Sequence, residues 1–167
     1  MGVSADAILF YGYCWNKEHE LFLDGVGNAG YWGEVVARKR GHVDPHDAFP
    51  KKEFENLPFE VMCKAVENWR KANREAMDSW CKAKSAIEKE FGVEVGQHCS
   101  DKCSVPYVAV AASRTTARRG YPVDMSEKGM VTLAEWDGML DRWFHETGAE
   151  KPEGQNVPRW WLVSYWG

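Results

Sequence analysis

The chain has 167 residues, a formal net charge of −4 from 21 basic and 25 acidic side chains, and 44% hydrophobic residues. That is long and apolar enough for a single packed domain and excludes a disordered chain. The acidic balance argues against binding nucleic acid through a broad phosphate-contacting surface. No apolar run reaches the ~18 residues of a membrane span, so no membrane partner is expected and the chain reads as cytoplasmic.

The stretch Asp6–Trp15 is apolar or aromatic on both alternating faces. It predicts a strand covered on both sides. Residues 16–57 follow as an irregular insertion, with one short helix over Tyr31–Arg40 ended by Gly41, and loop through Asp44-Pro45 and Phe49-Pro50. Pro58 opens the strongest element. Phe59, Met62, Val66, Trp69, Ala76, Trp80, Ala83 and Ile87 recur at three- and four-residue steps as far as Phe91, and Gly92 closes the run. The pattern predicts one long helix over 58–91, with the polar Asn73 interrupting its stripe.

Val93–His98 and Val105–Ala112 read as strands joined by the loop Cys99–Ser104, and residues 113–122 read as a basic connection. A second helix is predicted from Thr132, where Thr132 and Glu135 match a capping box. Leu133, Trp136, Leu140, Trp143 and Phe144 form its stripe and Gly148 ends it. The closing segment Pro158–Gly167 holds three of the nine tryptophans and predicts an interior strand paired with the opening one.

The order strand–helix–strand–strand–helix–strand predicts an α+β fold of ferredoxin-like arrangement with a four-stranded, mostly antiparallel sheet. The first and third strands are expected at its centre, as parallel neighbours. A helix from 58 to 91 is about 50 Å long and a strand of eight residues about 26 Å, so half the helix should overhang the sheet. The overhang predicts a homo-oligomer or a covering segment.

Two groups of side chains carry recognisable chemistry. Arg114, Arg118 and Arg119 follow the third strand and are expected, in this topology, at the sheet end that also holds Trp15, Arg159 and Trp160. Guanidinium groups take phosphate or carboxylate and aromatic faces stack on bases, so this set could hold a nucleotide or an acidic partner surface. The alternative is that the arginines pair with local carboxylates and cover rings. His98, Cys99 and Cys103 form an incomplete zinc set, with Cys14 about 20–25 Å off by strand rise. The bland reading of that loop is two thiols and an imidazole in a hairpin, and the five cysteines suggest packed thiols rather than a disulfide framework. An RNA-binding sheet is disfavoured, because Val-Pro-Tyr-Val-Ala-Val (105–110) lacks the glycine–aromatic signature. Phosphate-loop, zinc-protease and serine-hydrolase motifs are absent, and no cofactor is implied. Asp137 and Asp141 with Arg142 read as a solvated face, and Arg38-Lys39-Arg40 as basic residues that suit a helix end.

The segments ADAILFYGYCW (5–15), PYVAV (106–110), ARRGYP (117–122) and PRWWLVSYWG (158–167) together resemble small uncharacterised proteins encoded by tailed bacteriophages. The resemblance implies a phage gene, a bacterial cytoplasm, and an accessory role in binding host or phage proteins, including inhibition of bacterial immunity. It carries over no catalytic or binding residue. The leading expectation is a non-enzymatic binding protein. A nucleotide-sequestering protein is the alternative, and a metal- or thiol-dependent enzyme at His98, Cys99 and Cys103 the weaker one.

Overall fold

A computed structural model describes residues 6–15, 31–98, 105–118, 121, 123–124 and 133–164. Among these it contains five strands, β1 (Asp6–Cys14), β2 (Val93–His98), β3 (Val105–Val110), β4 (Thr115–Arg118) and β5 (Arg159–Ser164). Five α-helices accompany them: α1 (Trp32–Lys39), α2 (Lys51–Phe54), α3 (Phe59–Ala72), α4 (Arg74–Phe91) and α5 (Ala134–Thr147). The architecture is α+β, with an antiparallel sheet.

β1 is the hub of that sheet. One edge pairs with β5, with Ala7 opposite Ser164 and Gly12 opposite Arg159. The other edge pairs first with β4, Asp6 opposite Arg118, and then with β3, Cys14 opposite Tyr107. β3 and β4 are thus one line of chain interrupted by the 3-10 turn Ala111–Ser113. Ser113 closes the interruption: its hydroxyl accepts from Tyr11 N at 2.9 Å and donates to Val110 O at 2.6 Å. β2 completes the sheet beside β3, Val93 opposite Val110. Thr115–Arg118, within the basic connection, is therefore strand. The Thr-Thr-Ala-Arg run sits beside β1 as an edge segment that periodicity over four residues cannot announce.

Every pairing is antiparallel. The expectation that the first and third strands run parallel is overturned. The helical connection from β1 leads to β2, one strand beyond β3, so β1 and β2 are the parallel pair and the strand between them runs the other way.

The two-faced apolar character of β1 is realised. Tyr11, Tyr13 and Trp15 face the helices and join a cluster with Trp32, Val36, Trp80, Ile87, Phe91, Leu140, Trp143 and Phe144. Ile8, Phe10 and Cys14 face the other way and cluster with Tyr107 and Ala109, flanked by half-buried Trp161 and Val163. Gly12 lets β1 and β3 approach closely: a Cβ there would lie 2.0 Å from Val108 O.

The predicted helix over 58–91 is two helices. Asn73 ends α3 and begins α4, and its side-chain amide donates to Trp69 O at 2.9 Å. Asn73 N also donates to Trp69 O and Met77 N donates to Asn73 O, both at 3.0 Å, so the two helices meet at this one residue of non-helical backbone (φ −105°, ψ 14°). Pro58 stands just before the first turn, and Gly92 ends α4 in the left-handed conformation (φ 61°). α4 buries Trp80, Ile87 and Phe91, whereas α3 buries no residue. The apolar stripe therefore runs out of the core as it runs toward the N-terminus, as the overhang argument requires.

The insertion is less irregular than its sequence suggests. A 3-10 turn (Pro45–Ala48) and α2 lie where loop was expected, each too short for apolar periodicity to register. Residues 16–30 and Thr132 of the expected capping box lie outside the described residues.

Salt bridges hold the helix layer together. Arg40 meets Glu90 at 2.7 Å and Glu146 at 2.8 Å, and Arg142 meets the same two carboxylates. Both guanidinium groups lie over the Phe91 ring. Lys39 donates to the carbonyls of Glu146 and Thr147 at the C-terminus of α5. The basic end of α1 thus serves a neighbouring helix as well as its own.

Candidate functional site

The aromatic and basic residues singled out above do not converge. Because β4 runs antiparallel to β1, Arg118 stands opposite Asp6, at the start of β1. Trp15 lies nine residues further along, about 30 Å at the rise of a strand. The correction follows directly from strand direction. The faces differ as well. Trp15 is buried and Trp160 half-buried on the helix side, where Trp15 packs on Phe144 and Trp160 on Tyr11 and Trp136. Arg159, opposite Gly12, lies on the other face with its guanidinium 5.6 Å from the centre of the Trp161 ring. Arg118 shares the face of Ile8 and Phe10 by strand alternation. Arg114 is half-exposed and meets Glu94 at 3.3 Å. Arg119 lies outside the described residues. Arg118 and Arg159 thus fall on the opposite side of the sheet from Trp15 and Trp160, which pack against the helix layer.

On the second face the half-buried Trp161 ring is covered by the Arg159 guanidinium. Phe10 and Tyr107 stack at 4.7 Å, but both are buried. Tyr107 donates to Glu94 at 3.0 Å, and burial together with that carboxylate pushes its hydroxyl up to about 12.

The metal reading also changes its geometry. Cys14 stands opposite Tyr107, and the next backbone N–H, of Trp15, donates to Pro106 O at 3.0 Å. His98 is opposite Val105. Cys14 therefore sits at the hairpin end of the sheet, not 20–25 Å away. Cys99 and Cys103 lie outside the described residues, and among the described residues no three His, Cys, Asp or Glu side chains form a metal-binding group. Cys63 and Cys81 are exposed free thiols.

Asp137 is exposed, as the expected solvated face requires, but it also has a partner in the core. It accepts from the Tyr11 hydroxyl at 2.8 Å, and burial with that acceptor pushes Tyr11 up to about 12. Asp141 pairs with Lys151.

The structure instead assembles a site that sequence reasoning missed. Asp44 is buried (5% exposed) and caps the turn Pro45–Ala48 by accepting from His46 N at 2.9 Å. Its carboxylate also accepts from His46 Nδ1 at 2.9 Å and from Arg38 at 2.6 Å. Burial pushes the Asp44 carboxyl up, but the His46 hydrogen bonds and the Arg38 charge outweigh it and leave the group below its ordinary value. Arg38 reaches Asp47 as well, at 2.5 Å, and lies over the Trp80 ring of α4. A buried carboxylate that holds one imidazole nitrogen leaves the other, Nε2, facing outward with a defined role.

That imidazole borders a groove of about 460 Å³, lined also by Asp47, Phe49, Lys51, Lys52 and Glu53. The volume suits a small ligand. Phe49 forms its apolar wall and packs edge-on against Phe54 and Trp69. Asp44-Pro45-His46-Asp47 was the available signal, since Asp before Pro marks a turn, but only the fold brings Arg38 and the groove to it.

No family model matches the chain, no curated protein matches its sequence, and no solved structure matches it.

Proposed function

We propose that the chain is a ferredoxin-like variant serving as a non-catalytic binding protein, with the outer stripe of α3 as its contact surface for a macromolecule. The observation that carries this reading is α3 itself. It has the apolar spacing of a packed helix but is covered only in part: Met62, Val66 and Trp69 are half-buried, whereas Phe59 at the start of the stripe is 74% exposed and its neighbour Val61 49%. Apolar side chains clustered on a projecting helix are the usual substrate of a helix-mediated interface. The strand order supports the fold assignment, with β1 and β3 central and the helical connections leading to the outer strands.

The bacteriophage resemblance supplies the setting: a host cytoplasm, and a host or phage protein as partner, with inhibition of bacterial immunity among the roles such a binder performs. A photo-crosslinking residue placed at Phe59, and in a control at Lys82 on α4, tests this in bacterial cells. A discrete adduct from position 59 and none from 82 supports the proposal. Equal labelling from both positions, or none from 59, refutes it.

A further inference from the structure

We propose that the groove beside His46 is a proton-linked anion site for a small phosphate monoester carrying an apolar ring. This reading is independent of the α3 surface. It rests on three features of the groove that act together.

The first is the orientation of His46. With Nδ1 held by Asp44 at 2.9 Å, the outward Nε2 is an acceptor in the neutral ring and a donor in the protonated one. An anion at Nε2 can accept from the ring only when that nitrogen carries a proton. The second is the charge around it. Asp44 and Asp47 are both engaged by Arg38. Lys51 and Lys52 are exposed, their ammonium groups make no hydrogen bond or ion pair with the described residues, and Glu53 lies beside them. From α3, the ring that faces His46 is that of Trp69, 6.2 Å away and without charge. The charged groups of the site are thus balanced when His46 is neutral and cationic when it is protonated, so anion binding and proton uptake favour each other. The third is shape. Phe49 offers an apolar wall within a volume of about 460 Å³, which fits a ring next to a phosphate and is far too small for a folded partner.

In the bound state two lysine ammonium groups and the Nε2–H of His46 donate to the phosphate oxygens, and the ring of the ligand lies against Phe49. No bond forms or breaks. The only covalent change is the proton that His46 takes from solvent.

Calorimetric titration of the intact chain with phenyl phosphate and with phenyl sulfate tests this. The sulfate keeps one charge between pH 5.5 and 8, so any pH dependence it shows belongs to the protein. The expected result is binding of both probes at pH 5.5, and a loss of about tenfold or more in phenyl sulfate affinity at pH 8. His46→Gln, which keeps the backbone cap on Asp44, should abolish that pH dependence while the chain still unfolds cooperatively. Lys51→Ala combined with Lys52→Ala should weaken binding at both pH values. Absence of binding at pH 5.5, an affinity that does not change with pH, or an unchanged pH dependence in His46→Gln would each overturn the proposal.

Discussion

Replacing Gly12 by alanine probes the closest contact in the sheet. The new Cβ would lie 2.0 Å from Val108 O and 2.8 Å from Ala109 Cα. Both obstructing atoms are backbone, so no rotamer change relieves them. Relief requires β1 and β3 to part by more than about 1 Å to reach ordinary van der Waals separation. The pairs at risk are Gly12–Ala109, Tyr13–Val108 and Cys14–Tyr107. Overpacking typically costs 1–3 kcal/mol and each weakened ladder hydrogen bond about 1 kcal/mol, so the expected loss is about 3–5 kcal/mol. Against a total of about 5–15 kcal/mol this is a large fraction, and a fall in melting temperature of roughly 10 °C follows. Gly138 is the control. It lies on the outer side of α5, and a Cβ there meets nothing within 4 Å. Gly138→Ala should therefore stabilise the helix by about 0.5–1 kcal/mol. Urea unfolding of both variants measures the contrast. A Gly12→Ala protein as stable as the parent would refute the claim that this glycine sets the β1–β3 spacing.

Three further expectations follow from the same geometry. Hydrogen bonds from Arg40 and Arg142 hold Glu90 down at about 2, against an ordinary 4.5, so its contribution is full above pH 4.5 and lost as pH falls toward 2. Because the group is half-exposed, Glu90→Gln should remove only about 0.5–1 kcal/mol at pH 7 and flatten the acid limb of a stability–pH curve; an unchanged acid limb would contradict this. Asp44→Ala leaves His46 N and part of Arg38 without an acceptor and should cost about 2–3 kcal/mol by denaturant melt, with Asp44→Asn costing less because it keeps the cap; equal costs for the two would show that the cap is not what matters. Deleting residues 158–167 strips β5 from β1 along Ala7–Gly12 and should abolish cooperative thermal unfolding, whereas a truncated chain that still melts sharply would mean that β5 is dispensable.

Local pattern made several elements legible. Val93–His98 is strand over its whole predicted length, and the α1 and α5 boundaries fall within two residues of expectation, because apolar periodicity and a following glycine are properties of a few neighbouring residues. The pairing of the last strand with the first was also readable, since an aromatic edge that dense needs a neighbour. The closing strand is nonetheless only half-buried, and Leu162 remains 71% exposed, so pairing did not make it interior. Asn73 was visible as the polar step in a stripe, but whether it bends, faces water or breaks the helix depends on its amide finding Trp69 O.

What the sequence determined by itself was the position of the longer elements, that β1 is apolar on both faces, and that the helical stripe outruns the sheet. Strand direction belonged to the tertiary structure alone. Nothing local encodes whether two apolar strands pair up or down, and that single choice carried Arg118 away from Trp15 and brought Cys14 to the hairpin end, while register put Arg118 and Arg159 on the face opposite Trp15 and Trp160. The Asp44–His46 site was hidden for the same reason. Its acceptor and imidazole are two residues apart in the chain, but the arginine that neutralises the acceptor comes from α1, and the ring that backs that arginine comes from α4.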